Sequence, residues 1–400
     1  MSKKKIVLVV LIIAIVIVVF KAISENRKTL INVNMNKQKL PITTKEKNPN
    51  NYTSVTSLDN IEVPVPTGFV ASSVEEERYV NIQKDEEGNK IHEGGFVIYE
   101  GAEPVPTDES ELLEAQMSRN QYVWVPISSE ECGKMYNANG YAGQYNVNSS
   151  KSGYTYVSNG TSEPALIKTD FDSQTNRLTS YLNGMSRFDF LDEMKIKFKE
   201  MIESVATYGG FYVGRYEMGN VNSNLPVVQK LNTDLCLNSR KGNYYTNWYK
   251  YYEKCKRLRG NLDSVDTYMI WGIQWDEIMK WFTDTEVKTA SEIWKNSSSW
   301  GNYSDATFLY LKQNLTTDRK TTAITIPSGS ADYCKANNIY DLAGNMWECT
   351  MESTSKGTRY LVGGWKGRTG SDEPVCTVYD GYNPGYSDDN HGCRATLYIK

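Results

Sequence analysis

Residues 338–350 read NIYDLAGNMWECT, with an apolar, strand-like start, a tight Gly-Asn turn and a Trp-Glu pair that leads into a second strand. Because alternate side chains of a strand lie on opposite faces, Glu348 is predicted on the same face as Met346 and opposite to Trp347. An inward-pointing carboxylate is costly without a partner. Glu348 therefore requires a cation, a ring of backbone amides or an arginine beside it. The stretch is predicted to lie near the centre of the fold.

The composition limits the classes of protein that fit. The chain has 400 residues, 40% of them hydrophobic, which suffices for a large core and for two or three domains of about 100–200 residues each. Its net charge of -4 produces no strong field, so nucleic acid is not predicted as a partner. The 28 tyrosines and 9 tryptophans suit contact surfaces as well as a core, since both side chains supply a large contact area at low entropic cost.

The histidine and cysteine counts exclude several kinds of site. With only 2 histidines, a three-histidine metal centre within one chain is impossible. A Ser-His-Asp or Cys-His catalytic arrangement is disfavoured, because only these two histidines could serve in it. The 7 cysteines show no C-x-x-C spacing, so a zinc knuckle is not predicted. Outside the cytoplasm some of them can form disulfides, and the odd number leaves at least one unpaired. The pairing itself does not follow from the sequence.

Residues 1–23 are predicted to form a transmembrane anchor. Three lysines at positions 3–5 precede an unbroken apolar run over residues 6–20, and basic residues before such a run keep the N-terminus in the cytoplasm. The run is short for a spanning helix of about 20 residues, although snorkelling of the flanking lysines lengthens its reach. A cleaved signal peptide is the alternative, with a weak small-residue site at residues 22–24. Both interpretations place the rest of the chain outside the cytoplasm.

The remainder divides into a stalk and one domain. Residues 24–60 are polar and rich in Lys, Asn and Thr, and they are predicted to be flexible. Residues 61–400 are predicted to form one irregular α+β domain with short strands and long loops, with residues 61–120 as its N-terminal lead-in. Apolar residues at helical spacing predict three helices, one beginning near Ser186 and ending before Gly209, one around residues 248–258 and one around residues 275–282.

Several segments, in the right order, resemble the formylglycine-generating enzyme (sulfatase-modifying factor) family. Residues 211–217, FYVGRYE, resemble its F-x-[IV]-x-[KR]-Y-E strand, and residues 338–350 resemble its N-x-Y-D-[ML]-x-G-N-V-W-E-W-T signature. Residues 363–365, GGW, and 392–394, GCR, resemble its R-G-G-S-W and closing G-F-R elements. The resemblance covers about residues 120–400, and within the family the chain is similar to a Firmicute-type, membrane-anchored branch. The central signature at residues 338–350 is the most specific of the matching motifs.

The resemblance implies a variant of the C-type lectin fold, with a twisted antiparallel sheet, a few helices and long irregular loops. The family's copper-dependent oxidases hold the metal with two cysteines five positions apart. Here Cys376 lies in the comparable region, but Gly381 stands five positions later and Cys393 replaces the Phe of the closing element. A lone thiolate does not form the two-coordinate soft site that Cu(I) prefers. The ergothioneine-pathway branch requires three histidines, so both oxidase chemistries of the family are predicted to be absent.

The resemblance also implies a binding surface. In variable proteins with this fold, the C-terminal strands support a solvent-facing loop that carries ligand contacts, and residues 365–391 match that loop. Aromatic side chains beside short polar groups can stack on a sugar or a protein surface and hydrogen-bond its edges. A solvated acidic loop without a ligand is the alternative. The candidate ligand-binding residues are Trp365, Arg368, Tyr379, Asp380, Tyr382, Tyr386, Asp388 and Asp389.

A structural calcium ion is the implied cofactor, because the family's signature turn supplies oxygen ligands to one. The matching residues here are Asn345 and Glu348. The alternative is that Glu348 is paired with backbone amides or with Arg394. A bound ion of this kind stabilises the fold by binding only the folded state.

The predicted function is that of a membrane-anchored, extracytoplasmic, non-catalytic binding or surface-interaction protein, whose partner is an extracellular protein or glycan. The alternative is a metal-dependent oxidase of the same family that acts on a protein or peptide cysteine. Its rearranged site would use Cys376 and Cys393, with copper as the cofactor. A purely structural component of the cell envelope is a third possibility.

Overall fold

The computed structural model describes residues 44–129, 132, 144–147, 154–157, 187–236, 248–353, 359–382 and 389–400. Over these residues the chain has mixed α+β structure, with a six-stranded antiparallel sheet, a four-stranded sheet, a few helices and long connections. The predicted α+β class is confirmed at this level.

The strands are short. In chain order they are β1 (Tyr52–Thr56), β2 (Glu62–Pro66), β3 (Phe69–Ala71), β4 (Gln83–Lys84), β5 (Lys90–His92), β6 (Val97–Glu100), β7 (Gln121–Pro126), β8 (Gln144–Val147), β9 (Tyr154–Val157), β10 (Gly210–Gly214), β11 (Val265–Met269), β12 (Phe308–Leu311), β13 (Thr317–Lys320), β14 (Lys335–Ala336), β15 (Ile339–Tyr340), β16 (Trp347–Ser353), β17 (Arg359–Val362), β18 (Val378–Tyr382), β19 (His391–Cys393) and β20 (Ala395–Ile399). The α-helices among the described residues are α1 (Glu109–Ser118), α2 (Arg187–Tyr208), α3 (Trp248–Arg257), α4 (Gly272–Asp284) and α5 (Ala290–Trp294).

The six-stranded sheet carries the core. Its order is β11-β20-β10-β7-β6-β3, and every neighbouring pair is antiparallel. The last strand of the chain, β20, therefore lies inside the sheet, between β10 and β11. All residues of β10 and β20 are buried, and α2 packs against both strands. Their sequences are accordingly apolar runs with little alternation, as expected of strands covered on both faces.

The four-stranded sheet contains the last four residues of the signature stretch, 347–350. Its order is β18-β17-β16-β19, with β16 antiparallel to β17 and parallel to β19. Glu348 in β16 lies between Val362 of β17 and Gly392 of β19. Residues 346–350 are all buried, so both faces of this part of the strand are covered.

The helices confirm the predictions from apolar spacing. α2 begins at Arg187, beside the predicted start at Ser186, and ends at Tyr208. Gly209 follows with a φ of +81°, a left-handed conformation that favours glycine after a helix. The predicted apolar faces of α3 and α4 are buried, and their members are Trp248, Tyr251, Tyr252, Cys255, Trp275, Ile278, Met279 and Phe282.

The folded region begins before the predicted boundary at residue 61. β1 pairs with β2 in antiparallel register, from Tyr52 opposite Pro66 to Thr56 opposite Glu62. The prediction of a flexible stalk therefore does not hold for residues 52–56. Their polar composition did not predict a strand, because the contacts that stabilise it come from β2. In β2 the Glu62 carboxylate accepts hydrogen bonds from the hydroxyls of Ser54 and Thr56. The predicted lead-in likewise supplies β3 and β6 to the central sheet.

The predicted anchor at residues 1–23 and the first part of the predicted stalk lie outside the described residues. In the part of the chain that the structure describes, no helix combines the length and the apolar character needed to cross a membrane. The anchor stays a prediction.

Candidate functional site

The signature stretch folds as a strand, a tight turn and a second strand. After β15, Asp341, Gly344 and Asn345 adopt left-handed backbone with φ values of 59°, 77° and 57°. At Gly344 a side chain is excluded, since a Cβ there would lie 2.4 Å from the backbone oxygen of Asn302. The Gly344 amide donates to the carbonyl of Gly363 at 2.8 Å. The turn thus fixes the start of β16 against the loop that follows β17.

The partner of Glu348 is Arg394. Arg394 Nη2 lies 2.6 Å from Glu348 Oε1, and Arg394 Nε donates to both carboxylate oxygens at 3.1 and 3.0 Å. Both side chains are fully buried, at 0% exposure. Arg394 also donates to the carbonyls of Gly214 and Tyr340, each at 2.9 Å. Through these bonds Arg394, which directly precedes β20, connects to β16, β10 and β15. The inward carboxylate predicted from the sequence is therefore paired with an arginine.

Asn345 links the turn to three further segments. Its Oδ1 accepts hydrogen bonds from Asn302 Nδ2 at 2.9 Å and from the Ile326 amide at 3.1 Å. Its Nδ2 donates to Glu217 Oε2 at 2.5 Å. The oxygens of both predicted calcium ligands, Asn345 and Glu348, thus have protein partners in this conformation. No group of three or more His, Cys, Asp or Glu side chains suited to a metal ion occurs among the described residues.

Two further carboxylates, those of Glu217 and Asp341, are buried near this ion pair. Glu217, Asp341 and Glu348 are at most 1% exposed, and burial raises the pKa of each; for Glu217, proximity to the other two raises the pKa further. Asp341 Oδ2 accepts from Ser328 Oγ at 3.0 Å and from the Gly329 amide at 2.7 Å. Glu217 Oε1 and Asp341 Oδ1 are buried without a hydrogen-bond partner in the protein. Burial keeps all three carboxyl groups from any external substrate.

Sequence reasoning did not single out Glu217 or Asp341 as members of this cluster. Both positions belong to the motifs that carry the family resemblance, residues 211–217 and 338–350. The sequence feature that could have predicted this cluster is the acidic residue in each of these two motifs. Only the three-dimensional arrangement brings the two acids to one point.

The cysteines of the alternative oxidase site are both buried. Cys376 is 1% exposed and Cys393 is 0% exposed. Cys393 Sγ lies 3.9 Å from Cys255 Sγ of α3, which in turn lies 3.8 Å from Met218 Sδ. Burial and the hydrogen bond with Cys255 raise the pKa of the Cys393 thiol, so it stays protonated and is a poor nucleophile or metal ligand. Sequence reasoning assigned Cys255 to a core-facing helix stripe and missed this pairing.

The predicted ligand-binding residues divide between two ends of a hairpin. Trp365 and Arg368 follow β17, and the register pairs Val362 with Val378 at that end. The edge strand of the four-stranded sheet, β18, contains Tyr379, Asp380 and Tyr382. This strand runs to the opposite end of the hairpin, where Tyr382 pairs with Arg359. At about 3.3 Å per residue, Tyr382 lies about 13 Å along the strand from Val378. Tyr386 and Asp388 lie outside the described residues.

One end of this hairpin is the better defined candidate surface. The Arg368 side chain is 58% exposed and pairs with Glu373 at 3.4 Å. Trp365 is partly exposed, and the ammonium of Lys366 lies 5.5 Å from the centre of its ring. Lys366 Nζ also donates to Asn390 Oδ1 at 2.9 Å, which brings the segment with Asp389 beside Trp365. The structure therefore groups Trp365, Arg368 and Asp389 with Lys366 and Asn390, two residues that the sequence did not single out.

Comparison with known proteins finds no protein family, no curated protein and no solved structure that matches this chain. The buried polar groups of the site form a cross-linked core, and its exposed aromatic, cationic and acidic groups lie on the loops that this core supports.

Proposed function

We propose that this protein is a non-catalytic binding or surface-interaction module, built on a formylglycine-generating-enzyme-like scaffold of the C-type-lectin type. The observation that carries the proposal is the bonding of two signature residues inside the core: Glu348 is bound by Arg394, and Asn345 bonds to three other segments. Groups held in this way stabilise a fold and do not reach a substrate. The motif resemblance over residues 338–350 and the α+β class support the scaffold.

The proposed ligand surface is the group Trp365, Lys366, Arg368 and Asp389. A partly exposed tryptophan supplies a flat contact area, and the neighbouring charged groups provide hydrogen bonds to the edges of a ligand. Loops supported by a rigid core are where binding residues concentrate. The proposed partner is an extracellular glycan or protein, and the proposed location is the outer side of a cell membrane, reached through the anchor at residues 1–23.

A binding screen tests this proposal directly. The full-length protein in detergent micelles is applied to immobilised envelope glycans and extracellular proteins, together with Trp365→Ala and Arg368→Ala. We expect at least one ligand whose binding is reduced about tenfold or more by Trp365→Ala. Leu309→Ala, at an exposed apolar side chain in β12, is the control and is expected to bind normally. A complete absence of ligands, or equal binding by all variants, would support the purely structural role instead.

The oxidase alternative at Cys376 and Cys393 has one structural feature in its favour, the sulfur group that Cys393 forms with Cys255 and Met218. Thiolate and thioether sulfurs are the ligands that Cu(I) prefers, but all three side chains are 0% exposed, which does not fit direct attack on a peptide cysteine. The test is incubation of the full-length protein with Cu(I) and a cysteine-containing peptide. Stoichiometric copper binding that is lost in Cys376→Ala or Cys393→Ala, together with oxygen uptake, would overturn the non-catalytic proposal.

Calcium at Asn345 and Glu348 is proposed as a stabilising ligand of the signature turn. Because both Glu348 oxygens accept hydrogen bonds from Arg394, binding there requires this ion pair to open. A site that binds only the folded state raises its stability. The expected result is a lower melting temperature after chelation that calcium restores; an unchanged melting temperature in both conditions would remove the ion from the proposal.

A further inference from the structure

A cavity outside the predicted loop site lies at the edge of the central sheet. It encloses about 330 Å³ and opens between α2, α3 and the edge strand β11. This volume is at the lower end of the range for small-molecule sites, about 300–1,000 Å³. The residues that line it are Glu193, Lys197, Lys256, Arg259, Asp266, Thr267, Tyr268 and Lys400.

The cavity has more cationic than anionic side chains. Four cations and two carboxylates line it. Asp266 accepts from Arg259 Nη1 at 3.1 Å and lies 3.3 Å from Lys400 Nζ, so one carboxylate is shared by two cations. An arginine has five N–H donors and a lysine has three. One carboxylate cannot satisfy all of these donors, so this side of the cavity presents unused N–H groups.

The other side of the cavity has two lysines whose carboxylate partners belong only in part to the lining. Glu193 Oε1 lies 2.7 Å from Lys256 Nζ and accepts from the Tyr252 hydroxyl at 2.8 Å. Lys197 is paired at 2.8 Å with Glu200, which is not part of the lining. Lys256 is also 3.7 Å from Glu253, likewise outside the lining. The carboxylates that balance these lysines therefore lie partly outside the cavity, and its interior is left rich in donors.

One wall of the cavity, called its floor below, is the aromatic ring of Tyr268. Tyr268 stacks with Tyr252 and Tyr398 at ring-centre distances of 6.5 and 6.1 Å. Burial raises the pKa of the Tyr268 hydroxyl, which keeps the floor uncharged. Lys197 Nζ lies 5.3 Å from the centre of the Tyr268 ring. The ring therefore holds the Lys197 ammonium by a cation–π contact.

We propose that this cavity binds a phosphate ester of about monosaccharide size, with Arg259 and Lys256 as the phosphate-binding residues. Phosphate oxygens accept the fork of N–H groups of an arginine and the ammonium of a lysine in charge-assisted hydrogen bonds. Lys197 and Lys400 reinforce the positive field. The site does not depend on the proposed function at Trp365–Asp389, because it uses different strands and different residues.

Calorimetric titration of the full-length protein in detergent micelles tests the proposal. The probes are glucose 6-phosphate and inorganic phosphate, with glucose as the uncharged control. We expect saturable one-to-one binding of glucose 6-phosphate, weakened by added salt, and no binding of glucose. The double variant Arg259→Gln/Lys256→Gln is expected to weaken binding at least about tenfold, since hydrogen bonds to charged groups carry most of the affinity.

A matched variant separates the site from the general charge of the protein. Lys280→Gln/Lys312→Gln also removes two cations that pair with carboxylates, Asp284 and Asp318, at comparable exposure. It is expected to bind like the wild type. If the Arg259/Lys256 variant does not fold by circular dichroism, Lys197→Gln is used instead, with the same expected direction. No saturable binding of either phosphate probe, or an equal loss in the matched variant, would overturn the proposal.

Discussion

At the scale of single residues, the fold depends on Arg394. Its guanidinium is 0% exposed and is the cation among three buried carboxylates, of which it contacts Glu348 directly. A buried ion pair gives little net stability compared with an apolar pair, but removing one partner leaves an uncompensated charge. Substitution of Arg394 is therefore expected to destabilise the whole signature region.

The first prediction concerns this ion pair. Arg394→Met is expected to lower the free energy of unfolding by about 3–5 kcal/mol, because Glu348 is left buried and unpaired. The measurement is urea denaturation followed by circular dichroism. Arg394→Met/Glu348→Gln, which leaves no buried charge at that pair, is expected to recover part of the loss. A double variant as unstable as the sum of its single variants would contradict this account.

The second prediction concerns pH. Burial raises the pKa of Asp341 from 3.8 to about 6, against the lowering effect of the Gly329 amide and the Ser328 hydroxyl. The folded state therefore binds this proton more tightly than the unfolded state, and the contribution of Asp341 to stability falls as pH rises from about 4 to about 6. As pH rises from about 5 to about 7, the free energy of unfolding of the wild type is expected to fall by about 1 kcal/mol more than that of Asp341→Asn. The measurement is urea denaturation of both proteins at each pH. A pH dependence that is the same in both proteins would show that Asp341 does not titrate in this range.

At the scale of elements, the signature strand is held against the segment that enters β6. Asn338 Nδ2 donates to the carbonyls of Gly94 and Gly95 at 3.2 and 2.9 Å. Gly95 has a φ of +94°, and a Cβ there would lie 1.9 Å from the backbone oxygen of Asn337. The close approach of these two backbones leaves no space for a side chain, so the N-terminal strands and the signature turn pack as one unit.

The third prediction compares two glycines of similar backbone conformation. Gly88 has a φ of +84° and no atom within 4 Å of a Cβ, so Gly88→Ala is expected to cost only the left-handed strain of about 1–2 kcal/mol. Gly95→Ala carries the same strain and also collides with residue 337. It is expected to cost about 1–3 kcal/mol more than Gly88→Ala, measured by thermal or urea unfolding. Equal losses in the two variants would mean that the contact with Asn337 is not tight.

At the scale of the whole molecule, one large hydrophobic core extends from β2 to β20, and a smaller one lies around Phe308, Tyr310 and Cys334. The large core joins the ends of the described chain, because β20 is an inner strand, α2 packs against it and α3 packs against its neighbour β11. Cys255 and Cys393 lie at this junction, separated by 138 residues in sequence and by 3.9 Å between sulfurs.

The fourth prediction is a disulfide between Cys255 and Cys393 when the protein is located outside the cytoplasm. The disulfide forms while the chain folds, before both thiols are buried, and the two thiol hydrogens and two electrons pass to a disulfide-exchange oxidant of the cell envelope. Closing a loop of this length restricts the unfolded chain and stabilises the fold by about 5 kcal/mol on the chain-entropy estimate. Alkylation under denaturing, non-reducing conditions followed by mass spectrometry is expected to recover these two cysteines linked.

Cys334, in the smaller core, is the control and is expected to be recovered alkylated. Alkylation of Cys255 and Cys393 as well would contradict either the disulfide or the extracytoplasmic location. Protease accessibility in intact cells separates these two explanations.

Much of the local structure was determined by the sequence alone. Apolar residues at a spacing of three to four located α2, α3 and α4, because that period places them on one face of a helix. The run around Glu348 was predicted as a buried strand with an inward carboxylate, and both features are confirmed. These properties depend on neighbours a few positions away, so a single sequence contains them.

The tertiary structure alone decided which distant groups meet. It chose Arg394, 46 residues away, as the partner of Glu348, paired Cys255 with Cys393, and gave residues 52–56 a strand partner despite their polar composition. It also placed β20 inside the sheet and opened the cationic cavity beside it. The physical reason is that periodicity selects the face a residue presents, whereas the partner on that face is selected by packing between segments far apart in the chain.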